Sequence, residues 1–198
     1  VLTPEIVPSE GERSYDPSNE KVRVNNYTRQ ALIELDNDSE VVTLDLIEED
    51  DFGQFILNEK VVNRSTDDNS TLDAYLKTKL SVEKDGQFDT DFFKAFYFGE
   101  GGLSGVSGGG LSGYSRLGAD FVVVFSSANH QTASHEILHS FNLPHSFTNI
   151  ESSAHALFTY EALKTENLLD YSHQVTGHKN DRRSLWYWQW VKANGSIT

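Results

Sequence analysis

Apolar and polar positions alternate strictly in only a few short stretches of this chain. Val42-Thr43-Leu44-Asp45-Leu46 has the period of two expected of a half-buried strand, and Phe121-Val122-Val123-Val124-Phe125 is an apolar run that predicts another. Ala31 to Leu35 suits strand or helix equally. Helical spacing sets in with Leu72, Tyr75, Leu76 and Leu80 behind Ser70-Thr71-Leu72-Asp73, which has the form of a capping box, so a helix is expected over about 71–82. Phe88 to Phe98 holds five phenylalanines and Tyr97, a density that predicts a helix or strand packed against a sheet, or else an aromatic wall of a substrate subsite. Ala133, Ile137, Leu138 and Phe141 recur at helical spacing and give a further helix its buried side.

Later elements are shorter. Ser152 to Lys164 predicts a small helix, and Asp181 to Asn194 a last one, capped by Asn180 or Asp181 and ended by Gly195. Trp186, Trp188 and Trp190 are spaced by two, so they cannot share one helical face, and at least one is left for a pocket or an interface. Between these patterned regions, residues 99–118 read GEGGLSGVSGGGLSGYSRLG and lack the Gly-Lys-Ser/Thr ending of a phosphate-cradling loop. A mobile loop and no nucleotide site follow. Residues 1–21 carry three of the four prolines among polar residues and read as tail or linker. Residues 22–198 are then expected to form a single domain, with an N-terminal lobe over about 22–142 and a C-terminal lobe over about 143–198.

Composition narrows the partners. A formal net charge of −14 opposes binding to a phosphate backbone, so nucleic acid is set aside. No apolar run approaches the roughly 20 residues of a membrane span. The opening VLTPEIVPSE has neither the basic nor the apolar region of a signal peptide, and a start at Val1 suits processing or excision from a longer protein. The absence of cysteine removes disulfides and thiolate ligands; together with the acidity it suits a secreted or exported bacterial protein. Acidic groups at Asp36-Asn37-Asp38-Ser39-Glu40, Glu48-Glu49-Asp50-Asp51 and Asp67-Asp68-Asn69 could supply oxygens to Ca2+, although none has the spacing of a calcium loop and all suit solvated loops.

The chemistry concentrates in His135-Glu136-Ile137-Leu138-His139-Ser140-Phe141-Asn142-Leu143-Pro144-His145. On a helix, His135 and His139 stand one turn apart on one face and can share a metal ion. Asn142 tolerates the left-handed conformation that closes a helix, and Pro144 forbids its continuation. The resulting reversal returns His145 as a third ligand and leaves a fourth position for water, as a catalytic Zn2+ requires. Glu136, offset by one residue, is placed to be the general base for that water. His155 has no ligand spacing and reads as a bystander, and His173 and His178 fall in a polar loop.

At this point the chain resembles the metzincin metallopeptidases, whose motif is HExxHxxGxxH followed by a Met-containing turn. The motif here is HEILHSFNLPH, with Asn142 in place of Gly, and Ser146-Phe147 looks locally like the pappalysin branch. Asn167-Leu168-Leu169-Asp170-Tyr171 is similar to the family's Asn-x-Met-Asp-Tyr, with Leu169 where Met belongs. The resemblance spans about residues 118–172.

It implies an α+β zincin fold: a mixed twisted sheet, an active-site helix and a smaller, mostly helical C-terminal lobe. It implies a strand at Phe121–Phe125 that edges the cleft and pairs with extended substrate. Leu169 becomes the apolar floor under the metal, and Tyr171 either a packed turn residue or a phenol that approaches the zinc and stabilises an oxyanion. The function expected is that of a zinc metalloendopeptidase acting on protein or peptide substrates. A zinc amidase acting on cell-wall or other non-protein amides, and a non-catalytic module that keeps its metal for folding, are the alternatives.

Overall fold

The structure is a computed structural model that describes residues 2–4, 17–36, 39–46, 51–68, 70–175 and 182–197. In chain order these form strands β1 (Leu2–Pro4), β2 (Val42–Leu44), β3 (Ile56–Leu57), β4 (Lys60–Val62), β5 (Lys94–Tyr97), β6 (Gly102–Leu103), β7 (Gly110–Leu111), β8 (Gly113–Tyr114) and β9 (Phe121–Val124). The helices are α1 (Pro17–Thr28), α2 (Leu72–Glu83), α3 (Thr132–Ser140), α4 (Ile150–His155) and α5 (Tyr187–Gly195). The fold is α+β. One sheet runs β2-β1-β5-β9-β8 and is parallel except for the β8–β9 pair; a second runs β3-β4-β6-β7.

The chain falls into two compact units, residues 1–17, 38–114 and 120–129 in the first and 18–37, 115–119 and 130–198 in the second. α3 belongs whole to the second unit. Leu138 explains this: it packs with Leu143, Leu168, Leu169 and Leu185, all C-terminal to it, in one buried cluster.

In the first unit, burial along β2 alternates as a period of two demands, and the alternation runs on through exposed Asp45 to buried Leu46. β5 and β9 are buried at every position, as inner strands are. The aromatic run divides: Phe96, Tyr97 and Phe98 are buried in the core, with Phe98 stacked on Phe52 and Phe125 at 6.3 and 5.6 Å between ring centres, whereas Phe92 is exposed and Phe88 and Phe93 are half-buried.

β9 is not the edge of its sheet. Gly113–Tyr114, from the glycine-rich stretch, pairs antiparallel along it and takes the edge position. The same stretch supplies β6 and β7, so it is not simply a loop. Its glycines have a packing reason at Gly102, where an added Cβ would lie 2.3 Å from the Phe125 ring and 2.5 Å from the Leu111 carbonyl.

Other expectations are corrected by local competition. Leu2–Pro4, assigned to a tail, pairs parallel with β2 and β5, and Pro17 opens α1 at the position where a missing N–H costs nothing. Residues 5–16 lie outside the described residues. Thr71 is the N-cap of α2 and makes no side-chain capping bond; one residue on, the Leu72 N–H is satisfied by the Asn63 carbonyl at 3.1 Å. Residues 29–31 form a 3₁₀ turn ended by left-handed Leu32.

α4 begins and ends earlier than expected, since the Asn149 and Ser152 side chains form the capping box that starts it. α5 starts at Tyr187, where Gln189 reaches back to the Trp186 N–H at 2.8 Å; Asn180 and Asp181 lie outside the described residues. Of the tryptophans, Trp186 stacks on Phe158 and Trp190 lies edge-on to Tyr187. No group of three or more carboxylates stands within ligand reach among the described residues, so the Ca2+ expectation gains no site there. Residues 37, 38, 47–50 and 69 of the acidic stretches lie outside them. No described helix is long and apolar enough to cross a membrane.

Lys94 is buried in β5, and its ammonium is satisfied by the Asp89 and Phe92 carbonyls and by Asp120 Oδ2 at 2.8 Å. Burial disfavours the charge on Asp120, yet the hydrogen bonds from Lys77 and Lys94 prevail and hold its carboxyl below the ordinary value. A depressed carboxyl stabilises the fold above its unfolded pKa and loses that contribution as the pH falls through the folded value. Because the Asp120 side chain is about half exposed and its ion pairs are partly screened, Asp120→Asn is expected to cost at most about 1 kcal/mol at neutral pH, with parent and variant converging as the pH falls below about 4. Denaturant curves across pH check this, and a gap independent of pH would contradict it.

Candidate metal centre

α3 is almost wholly buried. From Thr132 to Ser140 only Glu136 retains partial solvent access. The helix ends as its sequence dictates: Asn142 is left-handed at φ 62°, its N–H bonds the His139 carbonyl, and the Leu143 N–H bonds the Leu138 carbonyl. That pair of reversed bonds is a Schellman closure, completed by contact between Leu138 and Leu143 in the buried cluster. The chain turns back and carries His145 to the face of α3 that presents His135 and His139.

The nitrogens of His135, His139 and His145 that can bind a metal lie within 4.8 Å of one another. The Nδ1 of His135 is 2.7 Å from the Leu168 carbonyl, and the Nδ1 of His139 is 2.7 Å from the Leu143 carbonyl. A carbonyl only accepts, so each ring carries its proton on Nδ1 and turns a bare Nε2 inward. These two Nε2 atoms stand 3.1 Å apart with no proton to share between them.

Two lone pairs so placed repel, and a cation between them removes the conflict. Nitrogens about 2.05 Å from a tetrahedral ion would stand about 3.3 Å apart, close to the separation found. The three imidazoles thus fit a borderline transition metal of the zinc type. His135 is held well below its ordinary pKa by burial and by its neighbours His139, Arg182 and His145, and His145 is lowered to about 3 by burial and His139. Both are neutral at physiological pH, the form that ligates.

Tyr171 belongs to the same constellation. Its hydroxyl is 2.7 Å from His145 Nε2, and its ring lies 5.5 Å from that of His135. Phe147 packs on both, 4.9 Å from the His145 ring and 5.3 Å from the Tyr171 ring. Leu169 is fully buried among Leu138, Leu143 and Leu168, so it supports the helix that carries His139 through the core. Preceding Tyr171, buried Asp170 spends its carboxylate on the N–H groups of Leu163, Lys164, Thr165 and Tyr171 and on the Thr165 hydroxyl, all within 3.1 Å. His155 is exposed on α4, apart from the cluster. The side chains of His173 and His178 lie outside the described residues.

Sequence reasoning missed the groups behind the ligands. Arg182, 2 % exposed, donates to the Asp170 carbonyl at 2.9 Å and to Gln131 Oε1 at 3.0 Å, while Gln131 Nε2 donates back to the Arg182 carbonyl. Its guanidinium stands 3.3 Å from His135 Nδ1. It thereby ties the start of α3 to the turn at 167–171, and nothing in a 51-residue separation announces the pairing. Asn149 has a legible signal: Asn-x-x-Ser opening a helix is a capping pattern.

Because Leu169 is sealed in the core, its volume decides the effect of replacing it. Leu169→Met should cost less than about 1.5 kcal/mol and retain metal affinity. Leu169→Ala should cost about 2–5 kcal/mol and weaken metal binding by loosening the segment that orients His135. Unfolding midpoints and zinc titrations of both variants are the check, and a Leu169→Ala protein matching its parent in both would sever the turn from the metal centre. No family model matches the chain, and neither does any curated protein or solved structure.

Proposed function

We propose that the protein is a zinc-dependent metallopeptidase of the metzincin type, hydrolysing peptide bonds. The observation that carries this reading is the pair of bare His135 and His139 Nε2 atoms 3.1 Å apart on a helix whose one partly exposed residue is Glu136. A purely structural site has no use for a carboxylate beside its first ligand. When bound, Zn2+ would supply a Lewis acid that polarises the scissile carbonyl and acidifies water.

The chain's own residues do the rest. His135, His139 and His145 would hold the ion. Glu136 accepts a proton from the attacking water and delivers it to the leaving amine, which requires a carboxylate with access to solvent on the ligand helix. Tyr171, whose hydroxyl lies 2.7 Å from His145 Nε2, is proposed to donate a hydrogen bond to the oxyanion that develops on the substrate. Asn142 substitutes for the family's Gly by adopting the left-handed backbone that position needs. Leu169 substitutes for Met as a buried apolar support that has no need to touch the ion.

The test is metal analysis with a peptide-library digest of the purified chain. One zinc per chain is expected, lost in His145→Ala. Glu136→Gln should keep zinc and fold while hydrolysis falls by about 10²–10⁴-fold, since the amide copies the shape but cannot take the proton. Zinc without peptide cleavage, but with release of cell-wall amides, would assign the same site to an amidase. Zinc with neither activity would make it a folding metal.

A further inference from the structure

The three histidines are not held alike. Two have an acceptor behind Nδ1, whereas the Nδ1 of His145 lies 2.8 Å from Asn149 Nδ2, a donor. The orientation of that amide is fixed from its other side, because Asn149 Oδ1 accepts the Ser152 N–H at 2.7 Å as the N-cap of α4. The capping box is reciprocal, with Ser152 Oγ accepting the Asn149 N–H at 2.8 Å, so the side chain cannot turn over without loosening the helix start. A donor at Nδ1 requires His145 to accept there and to carry its proton on Nε2, the edge that faces the Tyr171 hydroxyl at 2.7 Å.

We propose that Asn149 is a positioning residue that opposes His145 as the third ligand, so that metal uptake through His145 Nε2 has to displace the Asn149 amide from Nδ1. This rests on the reading of the three histidines as a metal site. Uptake exchanges one proton for another: His145 releases the Nε2 proton to solvent, accepts one at Nδ1, and forms the bond to the ion with no net change in protons on the ring. The new Nδ1–H then needs an acceptor. The only oxygen of the Asn149 side chain is already committed to Ser152, so ligand and helix cap compete for one atom. His135 and His139 form the standing half of the site, and His145 joins at a cost to the start of α4.

The consequence is an unusual sign: changing Asn149 should tighten metal binding. Asn149→Asp offers one oxygen to Ser152 N–H and a second to His145 Nδ1–H, and about tenfold higher zinc affinity is expected, at the low end of what outer partners of metal-ligating histidines contribute. Asn149→Ser keeps a capping oxygen, is too short to press a donor on Nδ1, and carries no charge. It should also bind zinc more tightly, by a few-fold, which separates the effect from simple attraction to a new carboxylate.

The experiment is a chelator competition on the full chain with zinc alone, for the parent and both variants, together with the unfolding midpoint of each. Tighter binding in both, at a midpoint near the parent's, supports the proposal. Equal or weaker binding in Asn149→Ser overturns it, because a merely structural role for Asn149 predicts loss in both variants. A parent that takes up no zinc overturns the metal reading and this inference with it, whereas zinc in the parent with unmoved variants overturns the inference alone.

Discussion

The reversal of the chain at Asn142 is the constraint on which the three-histidine cluster depends. One residue in a left-handed conformation ends α3, returns the Leu143 carbonyl to the Nδ1 of His139, and aims the chain so that His145 meets the other two imidazoles. It also starts the return strand of contacts, with the Ser146 N–H on the Leu169 carbonyl. An L-residue other than Asn or Asp pays about 1–2 kcal/mol for that conformation. The position is therefore restricted by backbone geometry first and by chemistry second.

Much of the site was legible because it rests on short-range regularities. The four-residue spacing of His135 and His139 is helix geometry, and the reversal before His145 follows from Asn142 and Pro144. What stood behind the imidazoles was not legible. The Leu168 carbonyl that fixes His135 is a backbone atom 33 residues away, and every residue has such an atom. Arg182 and Gln131 pair across 51 residues, with side chains whose types suit a surface equally well.

The same division runs through the fold. β2 and α2 emerged from periodicity, whereas β6, β7 and β8 lie in a glycine-rich stretch that has no apolar pattern to read. Gly102 is there because Phe125 and the Leu111 carbonyl leave no room for a Cβ, and that is a fact of tertiary approach. At the start of α2 the helix begins one residue later than a capping box on Ser70 would place it, and a long-range backbone partner, the Asn63 carbonyl, takes the first helical N–H at Leu72. Local motifs name what a segment can do, and long-range partners choose among the options.

The carboxylate of Asp170 bears on which cations the proposed site would admit. It is the acidic neighbour of Tyr171, and its oxygens are engaged by five hydrogen bonds from the surrounding turn. Hard cations such as Ca2+ and Mg2+ depend on oxygen ligands, and this oxygen pair has been withdrawn from the competition. The cluster that remains is wholly imidazole nitrogen. On the reading proposed above, an all-imidazole cluster favours a borderline transition metal over hard divalent ions, and the hydrogen bonds to Asp170 keep its carboxylate from adding an oxygen ligand.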